Sequence, residues 1–149
     1  LTKATNSTST QNYFTAIYHV GILDTDADGA WMSLHGQLEG STPYQPSLRA
    51  TAPFDGYIEK IVFRSETATG STTIDIYKVG DGTDADNIST GTQVGSTITV
   101  NMSSAHTAYT FSGGTDFAIS EGEVFAFKVN PTNSLNTDAE GVVVVKYLI

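Results

Sequence analysis

Apolar residues in this chain come in short runs that alternate with polar ones. Gly, Asn, Asp, Ser or Thr interrupts these runs about every eight to twelve residues. A helix buries a stripe of residues recurring at three and four, and little of the sequence keeps that period. An all-β fold is the consequence. In Thr73 to Val79, Ile74 and Ile76 share one face and Asp75 lies on the other, the pattern of a half-buried strand. Glu123 to Val129 repeats it with Phe125, Phe127 and Val129. Phe54 to Arg64 breaks the rule, because Ile58 and Ile61 cannot share a face of a regular strand. A bulge near Glu59 and Lys60 is expected there.

Val142 to Ile149 is apolar on both faces, which suits a central strand or one covered by a neighbouring subunit. Further strands are expected at Tyr13 to Leu23, Ala30 to Leu38, Ser47 to Ala52, Ser96 to Asn101, Ala108 to Phe111 and Asp116 to Ile119. The total is about eight to ten, the count of an antiparallel two-sheet β-sandwich of jelly-roll-like form. Gly80 to Gly95 reads as a long acidic loop without a strong hydrophobic pattern.

The chain has 149 residues, enough for one compact domain. The polar, Ser/Thr-rich residues 1–12 read as an N-terminal arm, and residues 13–149 as a single sandwich domain. With 39% hydrophobic and 15% charged residues, the composition is that of a folded chain. Seven basic residues against 16 acidic ones give a net charge of -9, which disfavours nucleic acid as a partner. No apolar run reaches the length of a membrane span. The absence of cysteine removes disulfides and thiolate chemistry.

The sharpest local motif is Asp24-x-Asp26-x-Asp28-Gly29, the first half of a calcium loop, in which alternate carboxylates converge on one cation. The second half departs from that pattern, since His35 stands where the bidentate Glu belongs. An acidic β-turn explains the same residues and is the preferred reading. Calcium as a ligand of Asp24, Asp26 and Asp28 predicts a melting temperature that rises with calcium, falls with chelator and loses both responses in Asp26→Ala. Asp81, Asp84 and Asp86 form a looser acidic group.

His19, His35 and His106 have no catalytic spacing, and nucleophile-elbow, phosphate-loop and zinc-helix motifs are missing. Glu121 and Glu123 would lie side by side on one strand rather than opposed across a sugar, so a turn is the simpler reading. Trp31, Tyr44 and Tyr57 could stack on a sugar ring, although aromatic residues in sandwiches usually fill cores. No catalytic residue or cofactor is assigned beyond calcium.

From Ala52 onward the order of motifs resembles small β-sandwich modules of tailed-phage structural proteins. These are the modules found as capsid decorations, head fibres and fibre tips. The resemblance rests on Pro53-Phe54-x-Gly56-x-Ile58, Ile74 to Lys78, Ala108-Tyr109-Thr110-Phe111, Gly122-Glu123-Val124-Phe125, Asn130-Pro131-Thr132 and the closing Tyr147-Leu148-Ile149. It covers about two thirds of the chain, and each motif is common in β-proteins. It implies a non-enzymatic virion protein at the particle surface, a homo-oligomer with a trimer favoured, binding a capsid or other virion protein. A capsid decoration subunit is the first expectation. A fibre or spike tip that binds a host-surface glycan is the second, and a polysaccharide-degrading enzyme the third.

Overall fold

The computed structural model describes residues 11–22, 30–34, 46–133 and 138–149. Among these, ten strands form: β1 (Tyr13–Ile22), β2 (Ala30–Trp31), β3 (Ala50–Thr51), β4 (Gly56–Ser65), β5 (Gly70–Val79), β6 (Thr92–Met102), β7 (Tyr109–Ser112), β8 (Ala118–Ile119), β9 (Val124–Pro131) and β10 (Ala139–Leu148). All pair antiparallel. The first sheet runs β1-β10-β4-β7 with β8 also on β4, and the second runs β2-β9-β5-β6 with β3 also on β9. With the two-residue β3 and β8 set aside, the sheets interleave first, eighth, third and sixth strands against second, seventh, fourth and fifth. That interleaving is a jelly roll.

The strand pattern read from the sequence explains the register. Val144 pairs with Lys60 but Val145 pairs with Ile58, so Glu59 is the extra residue of a bulge. The bulge turns Ile58 and Ile61 onto the same inner face, where both are fully buried. β10 is a central strand, between β1 and β4. Three expected strands are shorter than the sequence suggests. Pro46–Leu48 and Thr115–Phe117 are single 3-10 turns that carry Leu48 and Phe117 inward, leaving only Ala50–Thr51 and Ala118–Ile119 extended. In the segment expected from Ala30 to Leu38, Ala30–Trp31 pairs with β9 and Ser33 bridges Gly21, while residues 35–38 lie outside the described residues.

The main core lies between the sheets, with Phe63, Phe111, Phe125, Phe127 and Tyr147 fully buried. Tyr18 sets its ring edge-on to Phe125 at 5.8 Å, and its hydroxyl is 3.0 Å from that of Tyr147. Burial, and then the bond to Tyr18, pushes the Tyr147 phenol well above its ordinary 10.0. A raised acid pKa means that the native state holds the proton more tightly than the unfolded chain. The resulting stability is present below pH 10 and is lost as pH rises above it. Melting curves between pH 8 and pH 11 should therefore fall steeply above about 10. Tyr147→Phe should flatten that fall while costing about 1 kcal/mol at neutral pH.

A second, smaller core covers part of the outer face of the second sheet. Trp31, Tyr77, Val79, Val124 and Ala126 meet Leu48, Ala85 and Ile88 there. The Trp31 and Tyr77 rings are 5.2 Å apart. The stretch expected to be a long acidic loop without a strong hydrophobic pattern is thus a cover, because Ile88 is fully buried and Val94 already belongs to β6. Asn87 caps the turn Ile88–Thr90 by accepting the Ser89 amide, and Arg49 donates to the Ala85 carbonyl. Arg49→Ala should cost about 1–2 kcal/mol. Amide exchange should then accelerate in 80–91 while β9 stays protected.

Candidate functional site

The two outer faces differ. Part of the second sheet is covered by the chain's own segments, whereas the first carries apolar side chains for which the described residues form no second cluster. Alternation along β1 and β10 points Ile17, His19, Val142 and Val144 outward. Register sets Ile17 beside Val144, His19 beside Val142 and Val142 beside Val62. Ile17 is 60% exposed. Tyr13 meets Tyr57 edge-on at 5.8 Å, which extends the apolar stripe across β10.

At the other end of this face lies a shallow depression of about 510 Å³, lined by His19, Gly21, Val62, Arg64, Glu140 and Gly141. Glu140 accepts from Arg64 Nε at 2.7 Å and lies 2.6 Å from Nη2. Both side chains are half exposed, so the pair orients the rim and adds little stability. A smaller polar recess of about 200 Å³ adjoins it, lined by Arg64, Glu66, His106, Asp138 and Glu140. His106 adopts φ 54°, and its amide donates to the Ser65 carbonyl at 2.8 Å. Two of the three sequence-flagged histidines thus reach one end of the first sheet.

Asp24, Asp26, Asp28, His35 and Tyr44 lie outside the described residues. Among the described residues, no three His, Asp or Glu side chains converge to hold a cation. Asp81, Asp84 and Asp86 serve local structure instead. Asp84 Oδ1 accepts the Asp86 amide at 2.8 Å, Asp86 lies 3.8 Å from Arg49, and Asp81 packs beside Gly122. Glu123 also has a structural role, accepting the Ser120 amide at 2.7 Å and Lys78 Nζ at 2.8 Å. Its amide donates to the Ser120 carbonyl, which closes the expected turn. Trp31 fills the second core, as sandwich aromatics usually do.

Two polar groups escaped the sequence reading. The Arg64–Glu140 pair joins residues far apart in the chain, and only the β4–β10 register brings them together. Asp75 was read only as an outward strand residue. It accepts from Thr97 Oγ1 at 2.6 Å, Gln93 Nε2 at 3.0 Å and Asn130 Nδ2 at 3.0 Å. The bulge in β6 faces Asp75 alone, which is why its partners converge there.

No family model matches the chain, and no curated protein matches it. Solved structures with similar layouts include a Bacillus endospore appendage protein, described as forming disulfide-linked pili. It has a TM-score of 0.38 and 15% identity, over 100% of this chain and 97% of that one. The VP2 subviral particle of infectious bursal disease virus gives 0.39 and 14%, over 94% and 33%. Murine APRIL gives 0.38 and 12%, over 87% and 98%. This chain spans about a third of the bursal disease virus protein. At TM-scores this low the likenesses assign neither a family nor a function.

Proposed function

We propose that the chain is a non-enzymatic structural subunit of a virus particle, acting through contacts with copies of itself and with the shell. A capsid decoration subunit of a tailed phage is the form we favour. The observation that carries this reading is the outward apolar stripe of the first sheet, where Ile17 is 60% exposed and Val62 and Val142 are half-buried, while the second core covers part of the other sheet's outer face. Such a stripe suits a docking surface. The strongly acidic chain also suits the outside of a nucleic-acid-filled particle. An antibody to the chain should label intact particles at a copy number that follows the capsid lattice. Unlabelled particles would overturn the reading.

A fibre tip binding a host-surface glycan is the second reading, favoured by the depression where His19, Arg64 and Glu140 surround an apolar floor. Labelling at a few tail sites would select it. Turnover of polysaccharide by the purified chain would defeat both.

A further inference from the structure

Sheet edges are where strand proteins pair with unintended partners, so natural chains shorten, bend or charge them. Among the described residues, three of the four sheet edges are blunted. β7 has four residues and β8 two, and β2 and β3 have two each. β6 is long, but three of its residues, Gly95 to Thr97, face Asp75 alone, and Gly95 has φ 64°. β1 is different. It runs ten residues, pairs with β10 without a register shift, and contains neither a charged residue nor a proline.

Its open side can be located. Gly21 exchanges both backbone bonds with Ser33, at 3.1 and 3.0 Å, on the side away from β10. Asn12 accepts from Ile149 on the β10 side. Backbone direction alternates along a strand, so the N–H and C=O groups of Thr15, Ile17 and His19 share the open side with Gly21. Among the described residues these groups have no backbone partner. Tyr13, Phe14 and Ile17, three of the five exposed large apolar side chains of the described residues, also belong to this strand.

We propose that β1 is an assembly edge that pairs antiparallel with β1 of a second copy of this chain, continuing the first sheet across a twofold axis. Two observations select a second copy as occupant. First, the edge is self-complementary about Ile17: antiparallel pairing sets Ile17 against its own counterpart and Thr15 against His19 on either side, and the ladder stops where Ser33 holds Gly21. Second, the chain carries a net charge of -9, so two copies repel at most approaches, and β1 is a long strand on which no like charges meet. A basic partner would find no carboxylate on β1 to recognise. The contact is isologous, so it closes at two copies rather than growing into a fibre. The inference rests on the structural-subunit reading and supplies its contact.

Light scattering on the full chain after size exclusion should give the mass of two copies at micromolar concentration. Ile17→Lys puts like charges on the axis, and Thr15→Pro removes an open-side donor while sparing the backbone bonds to β10, losing only the exposed bond from Lys146 Nζ to the Thr15 hydroxyl. Each should raise the dissociation constant at least about tenfold with circular dichroism unchanged. Ala16→Pro, which breaks the β10 ladder instead, should destabilise the fold. Should a variant misfold, amide exchange in the unaltered chain still decides, because Thr15, Ile17 and His19 should gain protection as concentration rises.

A one-copy mass at every concentration overturns the inference, as does edge protection independent of concentration, which would place residues 1–10 or another segment on the edge. An oligomer unmoved by both variants also overturns it, yet leaves the structural-subunit reading standing through another face. That reading falls separately, on unlabelled particles.

Discussion

Phe127→Ala should lower the unfolding free energy by about 3–5 kcal/mol, a large share of the roughly 5–15 kcal/mol that holds a domain of this kind. Phe127 is fully buried between the sheets, edge-on to Phe125 at 5.8 Å, and its strand β9 lies between β2 and β5. Neighbours on both sheets are tied by backbone ladders, so they cannot close over the void. Urea unfolding should show a lower midpoint with an unchanged slope. A loss below about 1 kcal/mol would mean that the two layers slide freely, against the close packing of protein interiors.

Gly141→Val should be comparably damaging for the opposite reason. A Cβ at Gly141 would stand 2.2 Å from the Val62 carbonyl oxygen and 3.1 Å from Phe63 Cδ2. Backbone cannot swing aside as a flexible side chain can, so β10 must part from β4. About 3 kcal/mol or more is expected for Val, and about 1–3 kcal/mol for Ala. Gly82→Ala is the comparison. Gly82 has φ 73° and nothing within 4 Å of its added carbon, so only backbone strain of about 1–2 kcal/mol applies. Melting temperatures should rank Gly141→Val well below Gly82→Ala, and equal values would refute the close approach of β4 and β10.

The fold was legible where a single strand carries its own pattern. Ile74 and Ile76 against Asp75 announced β5, and the misplaced pair Ile58 and Ile61 announced the Glu59 bulge. What stayed hidden depends on partners distant in sequence. The loop from Gly80 contains only a few apolar residues, yet Ile88, with Ala85 beside it, anchors the loop because Trp31 and Tyr77 offer a matching surface from other strands. Nothing local to residue 88 reveals that surface. The sequence pattern extends strand over Ser47 and Leu48 and over Asp116 and Phe117, which belong to 3-10 turns, because one buried residue in a short stretch fits an extended chain as well as a turn. The candidate site was legible in its aspect of apolar β10 and opaque in its rim. Arg64 meets Glu140 through register, and register is set by the whole sheet.

The two strands latest in this sequence occupy the middle of the two layers, β9 between β2 and β5 and β10 between β1 and β4. On the ribosome, the earlier strands therefore emerge with gaps at the heart of each sheet, and hairpins such as β5–β6 are the pairings that can form early. The second layer cannot close until β9, ending at Pro131, is available, and the first cannot until β10, ending at Leu148, is. Maturation should accordingly be a late, concerted event rather than a progressive one, leaving the nascent chain dependent on holding factors until synthesis passes that point.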